Sequence, residues 1–169
     1  MSRYENRNSV TGDLVWGAIA GASAILVADQ LDRYLAQYEP RKARARTQAA
    51  RPGGLDAAQV IAKRAADAVG ANLPPQQLKP FGTAVHYGVG SAMGALYGAL
   101  FRRTPMVGSG HGLLYGVLMS VVADESLSSK LGLSGRPSDY PWTAHARGVV
   151  LHGTFGVVTD TLLRLFRRG

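Results

Sequence analysis

The chain has 169 residues, room for one domain or one compact bundle. Lys and Arg number 19 against 11 Asp and Glu, a formal charge of +8, and there is no cysteine. The missing cysteine excludes a disulfide framework, thiolate metal ligation and a cysteine nucleophile. Apolar residues at 46 % and a mean hydropathy close to zero are the averages of an ordinary soluble domain. Those averages mislead, because the apolar residues are gathered into runs and the basic ones cluster outside them.

The first run, residues 14–28, is uncharged and bounded by Asp13 and Asp29; tilt and snorkelling extend it through Leu35. Its Ala22-Ser23-Ala24 is similar to a signal-peptidase site, but the apolar run continues through Ile25-Leu26-Val27, so a retained first membrane span is expected. A polar region, 32–79, follows, with a basic run from Arg41 to Arg46 and a breaker at Pro52-Gly53-Gly54. Residues 55–71 predict an amphipathic helix: Leu55, Ala58, Ala62, Ala65 and Val69 recur at near-helical spacing, and Asp56, Lys63, Arg64 and Asp67 lie elsewhere around it. The favoured reading is a surface helix resting on the bundle or on headgroups. The alternative is a polybasic arm for anionic lipid, worth about 1 kcal/mol per basic residue but short of apolar anchoring.

Residues 80–101 and 104–123 carry no charge; Arg102-Arg103 closes one run and Asp124-Glu125 the other. About 20 residues at 1.5 Å each match the roughly 30 Å hydrocarbon core of a bilayer, so the two predict a transmembrane hairpin with a tight Arg-Arg-Thr-Pro turn. Residues 148–166, interrupted by Asp160 and Arg164 and closed by Arg167-Arg168, form the fourth expected span. The expectation is one all-α domain over 1–169: an integral membrane bundle of four transmembrane helices plus one amphipathic loop helix. Basic residues flank both ends of it, so the positive-inside rule leaves sidedness open.

Glycines recur every four residues along the expected spans: Gly17 and Gly21 in the first, Gly90, Gly94 and Gly98 in the second, Gly108, Gly112 and Gly116 in the third. Such spacing lets helix backbones approach closely in lipid. Packing within one bundle is the first reading and a homo-oligomer seam the second. Ionisable side chains at membrane depth cost about 2.5–3.5 kcal/mol at a helix centre for Asp, Lys or Arg, so each needs a reason. Following the chain up and down puts Asp29, His86, Asp124, Glu125 and His145 on the long-loop side, with His152 about two turns further in. His111 and Asp160 fall on the other side.

These residues allow three readings. In the first they are interface markers and locally paired groups, with Tyr87, Tyr97 and Tyr115 as neighbours. In the second, His86, His152 and Asp160 form a proton or ion path. In the third they hold a metal on His86, His145 and Asp124, or a haem between His86 and His152; no tight ligand signature supports it. No Walker loop or nucleophile elbow is present, and the glycine-rich Gly108-Ser109-Gly110-His111-Gly112 follows no strand, so it is not read as a phosphate loop. The basic residues flank apolar runs without interleaved aromatics, which argues against nucleic acid.

The order of features resembles the YagU-like family of bacterial inner-membrane proteins. The residues that carry the resemblance are Gly17-Ala-Ile-Ala-Gly21-Ala-Ser23, His86, Gly94-Ala-Leu-Tyr97 and Gly112-Leu-Leu-Tyr-Gly116. They continue with Leu131-Gly132-Leu133, Pro141-Trp142 and His152, with Asp160 eight residues later. It covers most of the chain except the basic loop. It implies a multi-pass helical protein of the bacterial inner (cytoplasmic) membrane, and no catalytic residue carries over. The functional expectation is a non-enzymatic scaffold or accessory subunit without a cofactor, in contact with lipid and with a protein partner or its own copy. A small transporter or proton relay is the alternative.

Overall fold

A computed structural model describes residues 10–101 and 104–168, and among these the chain is helical with no strand. The helices are α1 (Val10–Ala36), α2 (Arg41–Ala50), α3 (Ala57–Ala68), α4 (Pro75–Phe101), α5 (Leu113–Met119) and α6 (Trp142–Arg168). Short 3-10 turns occupy Pro52–Gly54, Pro105–Gly108 and Pro137–Asp139, and α5 runs on as a π-helical segment, Ser120–Ser128. By length and composition α1 and α6 can each cross a membrane. The stretch 80–101, expected as a span, lies in α4, whose glycines, tyrosines and histidine dilute its apolar character, and it does not join them.

The expected third span is corrected more sharply. Residues 104–123 do not form one helix: after the 3-10 turn the backbone turns left-handed at Gly110 (φ 60°), His111 (φ 53°) and Gly112 (φ 83°). Glycine takes that conformation without penalty, and His is among the side chains that tolerate it. Helix therefore starts at Leu113 and continues past 123 to Ser128, while α6 starts at Trp142 rather than at 148. The expected polar link between the last two spans is shortened from both ends. The Arg102-Arg103 corner lies outside the described residues.

α1 packs against α4 on one side and α6 on another, and α5 packs on α6. Glycine makes both close pairs possible. A Cβ on Gly94 would overlap the carbonyl oxygen of Gly17 and lie 2.6 Å from the Gly21 Cα; one on Gly98 would strike the Asp13 carbonyl. In the second pair a Cβ on Gly116 would strike the His152 carbonyl, and Gly112 and Gly156 would each strike the other's carbonyl. These glycines thus bring helices of the one chain into backbone contact. Gly108 departs from that pattern: it sits in the 3-10 turn beside Phe101 and Arg164, so 108, 112 and 116 do not share a helix face. α4 and α5 meet through tyrosines, with Tyr97 and Tyr115 ring centroids 4.9 Å apart and the Tyr115 hydroxyl donating to the Met93 carbonyl at 2.8 Å. Ala24, Ile25, Phe155 and Leu163 complete the core around them.

At the long-loop end, α3 begins with a capping box: Gln59 N donates to Asp56 Oδ1 at 2.9 Å and Asp56 N to Gln59 Oε1 at 3.0 Å. Its buried residues are Val60 and Ala62; of the expected stripe Ala62 is buried, Leu55 and Ala58 are half-buried, and Ala65 and Val69 are exposed. Contact decides this, because Gly82 of α4 leaves room for Gln59 to lie across it. The basic run, for which no helix is expected, forms α2. Two of its arginines are occupied: Arg44 Nη2 donates to the Ala36 carbonyl at 2.5 Å, and Arg46 donates to the carbonyls of Ser138 and Asp139, both at 2.8 Å. Arg64 likewise reaches the Leu131 and Gly132 carbonyls at 2.6 and 3.0 Å. These contacts fit the surface-helix reading better than the lipid-binding arm. Arg46→Ala is expected to cost about 1 kcal/mol and to speed amide hydrogen exchange over 136–141, and Arg46→Lys to restore little, since a lysine cannot present the same fork. Unchanged exchange in the alanine variant would mean that Arg46 does not hold the turn at Ser138 and Asp139.

Candidate functional site

The most buried charge among the described residues sits on α6. Asp160 is 0 % exposed, and both its oxygens are met: the Tyr97 hydroxyl donates to Oδ1 at 2.6 Å and Arg164 Nε donates to Oδ2 at 2.7 Å. Arg164 lies four residues on, one helical turn, so the pair is set by the α6 backbone itself. His111 completes the group, its Nδ1 3.7 Å from Asp160 Oδ2 and its side chain 79 % exposed. It is held there by the left-handed turn and by Gly112, where a Cβ would lie 2.9 Å from the Asp160 Cβ. One turn beyond, Arg167 pairs with the buried Asp13 of α1. The Arg164 and Arg167 guanidinium carbons each lie 4.8 Å from the centroid of the Phe101 ring, and Trp16 packs on Phe166 at 5.0 Å. This end joins α1, α4 and α6 by two carboxylate–arginine pairs sharing one aromatic ring.

The opposite end carries a second group. Asp29 of α1 receives the Tyr87 hydroxyl at 3.3 Å and lies 3.2 Å from His86 Nε2, both from α4. Nearby, Arg147 of α6 bridges Glu39 at 2.9 Å and Asp32 at 3.3 Å, and Arg44 lies 3.9 Å from Glu39. His145 Nε2 is 3.0 Å from the Pro137 carbonyl, and His152 Nδ1 is 3.0 Å from the Gly148 carbonyl of its own helix.

The structure therefore divides the expected polar set. It joins His111 to Asp160 and His86 to Asp29, at opposite ends of the bundle, with His152 turned to its own backbone. Of the expected long-loop cluster, the side chains of Asp124 and Glu125 lie outside the described residues. Among the described residues no three His, Asp or Glu converge as a metal set. Sequence reading missed Asp13, Arg164 and Arg167 as site residues, having taken them as span boundaries or interruptions. The i, i+4 spacing of Asp160 and Arg164 was the available signal; nothing local links Asp13 to a residue 154 positions away.

Between α5 and α6 runs an open apolar groove of about 430 Å³, lined by Leu113 and Val117 on one side and Val149, Val150, Val157 and Val158 on the other. No protein-family model, curated protein or solved structure matches the chain.

Proposed function

We propose that the chain is a multi-pass integral protein of the bacterial inner membrane and a non-enzymatic scaffold or accessory subunit, in keeping with its YagU-like pattern. The observation that carries this reading is the apolar exterior of α1, α4, α5 and α6 around two buried carboxylates. The carboxylates pair with arginines inside, while Val15, Ile19 and Leu26 of α1, Val89 and Leu96 of α4, Leu118 of α5 and Val150 of α6 are exposed. Apolar side chains facing outward in this number suit lipid as the surrounding medium. The glycine faces are filled by the chain's own helices, so a partner helix docks on the outer apolar faces, the α5–α6 groove among them. Native mass spectrometry from mild detergent tests this. A second polypeptide or second copy, lost when Val150→Trp fills the groove, is the expected result, and a bare monomer overturns the subunit role.

A second reading, a proton relay, is favoured by the two His–Asp pairs at opposite ends, His86–Asp29 and His111–Asp160. For a scaffold, a pH gradient across proteoliposomes decays no faster than across protein-free liposomes. Faster decay that Asp160→Asn and His86→Gln both abolish transfers the assignment to the relay.

A further inference from the structure

The turn that precedes α5 lies in an unexpected place. Gly112 packs against Gly156 and Asp160, so the turn sits at the level of Asp160 and not at the end of α6. Ser109, Gly110 and His111 are nevertheless exposed. On α6 itself Leu165, 54 % exposed, lies five residues further out, about 7.5 Å along the axis. On α1 the same holds: Val10, 51 % exposed, precedes Asp13, whose partner Arg167 is two turns beyond Asp160. Apolar side chains thus face outward on two neighbouring helices past the depth at which this turn exposes non-helical backbone and an imidazole. Irregular backbone at such depth is stable where it is covered by protein or where water meets it, and not against lipid tails.

We propose that residues 109–112 line a water-filled recess in the lipid-facing surface, reaching inward to the His111–Asp160 pair. The inference rests on the membrane reading above. The recess admits water and small polar solutes, and the His111 imidazole forms its inner wall. The charged and titratable groups behind that wall are Asp160 and Arg164 of α6 and Tyr97 of α4; Asp13 of α1 is held by Arg167 beyond Phe101. A recess here brings solvent as far as His111, 3.7 Å from a carboxylate that is itself sealed in the bundle.

The chain has no cysteine, so single cysteines can be placed without background. A maleimide reacts with thiolate, which forms in water and not in hydrocarbon. Ser109→Cys, His111→Cys, Val10→Cys and Leu165→Cys are labelled with a membrane-impermeant maleimide in open membrane fragments, with Gly70→Cys as the exposed reference. Ser109 is exposed, so its variant keeps the test valid even where His111→Cys disturbs the turn. The expected result is labelling at 109 and 111 at least about tenfold faster than at 10 and 165. Slow labelling at all four, against fast labelling at 70, overturns the recess and leaves the membrane reading standing. Fast labelling at all four overturns the membrane reading, and the recess with it.

Discussion

Gly94→Ala is expected to separate α4 from α1, while Gly88→Ala, six residues earlier on the same helix, is expected to be harmless or mildly stabilising. At Gly94 the added methyl has nowhere to go: it would overlap the Gly17 carbonyl and press on the Gly21 Cα and N, all backbone atoms of a helix that cannot rotate away. Overpacking a close contact costs about 1–3 kcal/mol when side chains can adjust, and more when they cannot, so a loss of about 3 kcal/mol or more is expected here. At Gly88 nothing lies within 4 Å of the new methyl, and the helix gains up to about 1 kcal/mol of propensity. Thermal loss of helix in detergent, followed by circular dichroism, compares the two directly. Gly94→Leu should behave like Gly94→Ala and worse, leaving no folded bundle. Equal stability of the two alanine variants would mean that α1 and α4 are not in backbone contact.

The same glycines show what a sequence pattern can carry. In α1 and α4 the four-residue spacing reported a real contact, because small residues one turn apart on a helix have few other uses at that density. In the third set the identical spacing held for Gly112 and Gly116, which pack on α6, and misled for Gly108, which sits in a 3-10 turn. Gly110 and Gly112 are there for their positive φ, and a run that is uncharged and glycine-rich does not distinguish a helix from a left-handed turn. The charges were legible in part. Following the chain up and down puts His86 on the same side as Asp29 and His111 on the same side as Asp160; which of these residues pair is seen only in the structure. The arginine pairs were not legible, because Asp13–Arg167 depends on the angle at which α1 meets α6. α2 escaped for a related reason: its Arg46 finds acceptors on carbonyls more than 90 positions away, and the segment itself has no apolar periodicity.

Removing one member of the Asp160–Arg164 pair is expected to be costly, and unequally so. Breaking a buried ion pair from one side costs about 3–5 kcal/mol, chiefly because an uncompensated charge stays behind. Arg164→Leu strands a carboxylate that is completely buried, left among the described residues with the Tyr97 hydroxyl and the more distant His111. Asp160→Leu strands a guanidinium whose side chain is 38 % exposed and already rests on Phe101, so it can turn outward to water or headgroups. The arginine variant should therefore unfold at the lower denaturant concentration of the two. Asp160→Leu/Arg164→Leu leaves no stranded charge and should recover most of the loss, giving a coupling energy of about 2 kcal/mol or more. A double variant no more stable than Arg164→Leu would show that Asp160 answers chiefly to another partner. The double variant also separates folding from function. A scaffold built on packing keeps its assembly in it, because the outer faces are untouched, whereas a relay that needs a carboxylate at this depth loses its flux in a protein that is still folded.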